Sequence, residues 1–146
     1  MHIKRLLTVL CFSVLAFVSI QVLSPPGTAF TVTATVDIKP DTLNLNMHGK
    51  WITAYIWLPE GFNVSDIDAA TVLLQNMFEP KWSNIEGNSL MIKFDASTVI
   101  NYLWDRLNHM GLGRAYIELT ITGQLMDGTD FEGTDTIIIM NPPFAE

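Results

Sequence analysis

Phe30, Val32, Ala34, Val36 and Ile38 alternate with Thr31, Thr33, Thr35 and Asp37. Apolar residues at every second position describe a strand with one face against a core and the other in water. The pattern returns over residues 51–58, where Ile52, Ala54, Ile56 and Leu58 share a face and Pro59-Glu60-Gly61 stops the run. A chain whose strongest signal has this period is a sheet protein, and its sheets must bury the apolar faces against one another.

Further strands are expected over residues 70–75, 90–95, 115–125 and 131–140. Lys39-Pro40-Asp41 turns the chain ahead of a short continuation through Leu43 and Leu45, and residues 63–68 form a loop. Residues 81–89 read as another loop. Between 96 and 110 the period changes: Val99, Leu103, Leu107 and Met110 recur at the spacing of one helical stripe. Asp95 or Ser97 can cap the start of that helix, and Gly111 suits the left-handed residue after its end. The helix is expected to cross between the layers or cover one edge.

Asp127-Gly128 marks a hairpin between the last two strands. A strict two-residue turn would set Leu119 against Thr136 and Ile121 against Thr134, core residues against polar ones. A one-residue bulge at Gly133, or an equivalent odd-length loop, would set Leu119 opposite Ile137 and Ile117 opposite Ile139. Short strands, Gly/Pro turns, one helix and no βαβ rhythm indicate a mainly β, antiparallel two-sheet sandwich.

Residues 1–29 have the form of an export signal. Lys4 and Arg5 precede the uncharged stretch 6–23, and Ser24-Pro25-Pro26-Gly27-Thr28-Ala29 places small residues before a cut after Ala29. The stretch holds 18 residues, long enough that an uncleaved N-terminal membrane anchor is the competing reading. Either reading places the folded part, residues 30–141, in the cell envelope or outside the cell, with 142–146 as a short tail. Membrane contact is expected only through residues 6–23.

The one cysteine, Cys11, lies inside this leader, so the folded part is expected to hold no disulfide, zinc–thiolate site or cysteine nucleophile. Lys4 and Arg5 also belong to the leader, leaving six basic against 15 acidic residues. An acidic surface repels phosphate, which argues against nucleic acid as a partner.

A nucleophilic triad would need a histidine beside a serine or threonine, and the folded part offers only His48 and His109. His109 falls at the helix C-terminus, where it complements the dipole. No serine sits in a nucleophile-elbow pattern, so no catalytic residue is expected. Asp66 and Asp68 in one loop, and Asp127, Asp130, Glu132 and Asp135 in the last hairpin, are the calcium candidates. Turn chemistry and blunting of sheet edges account for the same residues. Asn63-Val64-Ser65 matches the N-glycosylation acceptor pattern.

The candidate binding surface is aromatic. Trp51, Tyr55 and Trp57 share the face opposite Ile52, Ala54 and Ile56, and Trp82 is expected to be substantially exposed. An open row of flat rings could stack on sugars or anchor a protein partner. The competing expectation is that the helix, with Leu103, Trp104 and Leu107 to bury, covers the row as a second small core.

Taken together, Val36–Asn46, the run from Gly49 through Ile56, Leu58-Pro-Glu-Gly61, Val64–Asp68, Leu90–Asp95, Leu119–Leu125 and Asp127–Ile137 resemble a small immunoglobulin-like module. That module occurs, singly or at the ends of larger chains, in secreted archaeal and bacterial surface proteins. The resemblance spans about Thr35 to Met140 and implies an immunoglobulin-like sandwich, an extracellular setting and no defined activity. Such modules often carry an Asp-x-Asp-x-Asp-Gly loop suggestive of calcium. Here the matching segment, Lys81-Trp-Ser-Asn-Ile-Glu-Gly-Asn-Ser89, keeps one carboxylate, Glu86, beside a lysine. The expected function is a non-enzymatic surface module with a structural, adhesive or protein-interaction role. A carbohydrate-binding module using the aromatic row is the alternative, and a small hydrolase comes third.

Overall fold

The computed structural model describes residues 29–46, 48–111 and 113–141. The leader lies outside them apart from Ala29, and so does the 142–146 tail.

Among the described residues nine strands form two sheets. They are β1 (Thr31–Thr33), β2 (Thr35–Lys39), β3 (Thr42–Asn44), β4 (Trp51–Trp57), β5 (Ile67–Leu74), β6 (Trp82–Glu86), β7 (Ser89–Asp95), β8 (Arg114–Leu125) and β9 (Asp130–Met140). Helix α1 (Ala96–Met110) joins β7 to β8, and a 3-10 turn (Val64–Asp66) precedes β5. The first sheet runs β1-β9-β8-β5, with β3 also on β9, and the second runs β2-β4-β7-β6. All pairings are antiparallel except those of β1 and β3 with β9. The molecule is mainly β, two-layered and sandwich-like, as the alternation requires.

The first alternating run is not one strand. The chain leaves the first sheet at Ala34, pairs with β4 as β2, and returns to β9 as β3. Val32, Ala34, Val36 and Ile38 are buried throughout, because the inward faces of both sheets look into the same core. Phe30, the first residue of the run, is 67% exposed.

Where β2 crosses β9, the two backbones nearly touch. A Cβ on Gly133 would lie 2.5 Å from Val36 Cγ2 and 2.6 Å from the Ala34 carbonyl oxygen. Gly133 is therefore the crossing point rather than a bulge, since only a bare Cα fits under a second strand. Asp135, two residues on, fastens the crossing: its carboxylate accepts the Ile38 N–H at 2.7 Å and the Thr136 N–H at 2.8 Å.

The final hairpin has the odd-length loop. Leu125 N donates to Thr129 O and Gly128 N to Leu125 O, enclosing Met126, Asp127 and Gly128, with Gly128 at φ +86°. The ladder then runs without interruption from Gln124↔Asp130 to Arg114↔Met140. Core residues face the core, as expected, but Ile117 meets Ile137 and Ala115 meets Ile139, a shift of two residues from the expected pairs. Parity decides which face is buried, so a shift of two leaves the hydrophobic pattern satisfied.

Helix α1 keeps its expected bounds. Asp95 accepts the Ser97 N–H at 2.8 Å and its hydroxyl at 2.6 Å, and Gly111 closes the other end at φ +65°. Ala96, Val99, Ile100, Leu103 and Leu107 are buried in the core shared by both sheets. Ala96 N also donates to Lys50 O, tying the helix to the start of β4. Among the described residues no helix is long and apolar enough to cross a membrane.

Candidate binding surface

Period two on β4 sends Ile52, Ala54 and Ile56 inward and Trp51, Thr53, Tyr55 and Trp57 outward. Register extends this outer face across the sheet. One row reads Asp37, Tyr55, Met91, Asn84, and the next reads Lys39, Thr53, Lys93, Trp82. The Tyr55 and Trp57 rings lie 6.2 Å apart at 27°. Lys50 Nζ sits 5.0 Å from the centre of the Trp51 ring and Lys93 Nζ 5.2 Å from that of Trp82, both within cation–π range. Trp82 is 45% exposed, while Trp51, Tyr55 and Trp57 are half-buried.

The helix does not cover this row. Its buried side chains join the interior, on the opposite side of β4, and its Tyr102 packs edge-on to Phe78 at 5.5 Å. Met91, outward-facing between Tyr55 and Asn84, is only 7% exposed.

Lysines border the rings. Lys39 contacts Asp41 at 2.7 Å and Asp37 at 3.0 Å, and these two carboxylates, Asp41 first, hold its ammonium above the ordinary lysine range. The opposite outer face of the molecule is chemically different. Thr31, Thr33, Thr120, Thr122, Thr134 and Thr136 share it with Glu118, Asp130 and Glu132, and its large ring is Tyr116.

Trp82 reaches this surface by a route not anticipated. Residues 82–86 form strand β6 rather than a loop, paired to β7 through a two-residue turn, Gly87-Asn88, with Gly87 at φ +62°. A glycine at the first central position suits the type II′ hairpin turn, and Gly-Asn between two runs was the available signal. The segment expected as a loop, with Glu86 as its one carboxylate, is thus a hairpin in which Glu86 pairs opposite Ser89.

The acidic candidates take part in local hydrogen bonds, most of them with backbone N–H groups. Asp68 accepts from Ala70 N at 3.1 Å, Asp130 from Gln124 Nε2 at 2.9 Å, and Asp135 staples β2. Asp127 accepts from Thr129 N at 2.9 Å, and that bond holds its carboxyl below the usual range. The Asp66 carbonyl accepts Met126 N at 2.7 Å, bringing the two acidic loops to one end of the molecule. Among the described residues no three His, Cys, Asp or Glu side chains converge as a metal site would need.

A groove of 510 Å³ beside the helix start is lined by Leu45, Asn46, His48, Gly49, Ser97, Ile100 and Asn101. Its one hydroxyl pointing to an acid is that of Ser97, bonded to Asp95 as part of the helix cap. His109 lies elsewhere, exposed at the helix end, its Nδ1 2.6 Å from the Asp105 carbonyl oxygen. Asn63 caps the 3-10 turn by accepting from Ser65 N at 3.0 Å, and its side chain is exposed.

The chain matches no protein-family model, and no curated protein matches it significantly.

Proposed function

We propose that this chain is an exported, non-enzymatic surface module of immunoglobulin-like type that works by adhesion, using the outer face of β2-β4-β7-β6 against a protein partner. The observation that carries this reading is the asymmetry of the two outer faces. Trp51, Tyr55, Trp57, Trp82 and Met91 gather on one, fringed by Lys39, Lys50 and Lys93, while the other carries mostly threonines and acids, with Tyr116, Ile138, Met140 and Arg114 at one end. Large rings with polar tips supply contact area at small entropic cost and dominate protein interfaces, and lysines around them keep the free face soluble.

The near-parallel Tyr55 and Trp57 rings favour a second reading, a glycan platform. Asp37, Thr53 and Asn84 in the same rows would supply hydrogen bonds to sugar hydroxyls.

Binding of the exported protein to envelopes of the producing cells tests both readings. Saturable binding is expected, weakened at least about tenfold by a Tyr55→Ala/Trp82→Ala double substitution that leaves the melting temperature within a few degrees. Protease treatment of the envelopes should abolish binding under the first reading, and periodate oxidation under the second. Binding indifferent to the double substitution would refute both.

A further inference from the structure

The two sheets have four outer edges, and the chain itself covers or interrupts three. The outer side of β9 carries β1 and β3, each three residues long, with β2 crossing between them. β2 turns its own outer side to β9, where Asp135 takes the Ile38 N–H. β5 is bent by a register shift between Asp68 and Leu73, and its end folds back through the Leu74–Phe78 bridge. Short strands, bulges and covered edges are the devices by which sheets avoid pairing with other chains.

Over Trp82–Glu86 β6 has none of them, its irregularity lying at the entry, where Lys81 N donates to the carbonyl of Lys93, the residue that Trp82 also faces. All five of its residues are exposed, its ladder to β7 is regular, it contains no proline, and its inward positions, Ser83 and Ile85, carry no charge. The two-residue turn makes Glu86–Ser89 the closing hydrogen-bonded pair, so alternation directs the backbone groups of Ser83 and Ile85 away from β7. No described strand lies on that side.

We propose that the β6 edge pairs with β6 of a second copy of this chain, antiparallel about a two-fold axis at Asn84, giving one continuous eight-stranded sheet. The occupant is argued from self-complementarity. Pairing centred on Asn84 sets Ser83 against Ile85 of the second copy, the two positions with outward backbone groups, in both directions at once. It also sets Trp82 against Glu86 of the second copy. Trp82 already carries Lys93 over its ring at 5.2 Å, so each acidic end of β6 meets the basic, aromatic end of the other copy. The opposite register, parallel pairing, would set Glu86 against Glu86. The paired sheet would join two copies of the aromatic face into one surface of twice the length. This inference rests on the strand edge and stands whether or not the face binds a partner.

Sedimentation velocity of the exported protein, from about 5 µM to about 1 mM, reads the equilibrium directly, and a reversible monomer–dimer system is expected across that range. Ser83→Pro removes an outward N–H while leaving the bonds to β7, and should weaken dimerisation at least about tenfold. Should that variant not fold, Asn84→Lys and Asn84→Glu, at an exposed position, decide the matter. Each alone places like charges opposite one another and should be monomeric, and an equimolar mixture should recover dimers. A wild-type chain that stays monomeric throughout, or Asn84 variants that dimerise as well alone as mixed, would overturn the proposal.

Discussion

Strand β2 lies at one edge of its sheet against β9, its Ile38 N–H held by Asp135 and its Val36 pressed against Gly133. At the other edge of the same sheet, β6 stands with every residue exposed and its outer backbone groups unpaired by any described strand. Both are five-residue strands hydrogen-bonded on one side to an inner strand. What separates them is chain connectivity. β2 continues at both ends into strands of the other sheet, which drags its outer side over β9, whereas β6 comes from the other sheet at one end only, through residues 75–81 after β5, and at its other end turns straight back onto β7. An edge is closed here by crossing, and the hairpin that cannot cross stays open.

The largest effect is expected where the crossing is tightest. Gly133→Ala puts a methyl 2.6 Å from a backbone oxygen, which cannot swing aside as a side chain could, and should cost about 3 kcal/mol in urea unfolding. A loss under about 0.5 kcal/mol would mean that β2 can lift from β9 freely.

Asp135→Ala removes the acceptor of two backbone N–H groups and should cost about 1–3 kcal/mol, with faster amide exchange at Ile38 than at the inner positions of β4. Unchanged exchange at Ile38 would show that the carboxylate does not close this edge.

A smaller effect belongs to acid. Hydrogen bonds from Ser97 lower the Asp95 carboxyl, and those from Thr129 lower Asp127, both from 3.8. A depressed folded-state pKa contributes stability that is present above the unfolded value and lost as pH falls through the folded one. Melting temperature should therefore decline below about pH 4, and Asp95→Asn should flatten part of that decline while leaving both edges unaltered. A variant whose acid profile superimposes on the wild type would remove Asp95 from the account.

The smallest effect is expected at the open edge. Ile85→Thr replaces a side chain that is 46% exposed in the monomer and should change stability by no more than about 0.5 kcal/mol at dilute concentration. A larger loss there would mean that β6 is packed against something within the monomer.

Legibility in the sequence follows the core. The strands of the inner ladders and the helix were readable because each sends a regular set of side chains inward, and the helix bounds were marked by Asp95 and Gly111. The break at Ala34 was invisible for a physical reason: alternation passes through the crossing in phase, so Val32 through Ile38 read as a single strand. β6 escaped because its inward positions, Ser83 and Ile85, hold a single apolar residue, and Trp82 and Ile85, three residues apart, fit no period of two. The aromatic row was legible as a face of β4. Its extension to Met91 and Lys93 was not, since which strand lies beside which is a long-range matter.

The parallel pairing of β1 with β9 has a mechanical consequence. The chain enters at Phe30 beside the start of β9 and leaves the far end of that strand at Asn141. A load drawing those two points apart runs along both strands in opposite senses, so the bonds joining them are sheared together instead of unzipped one by one. Forced unfolding is governed by its barrier rather than by equilibrium stability. A module of modest thermal stability, held at one end and pulled at the other, would on this geometry still yield late.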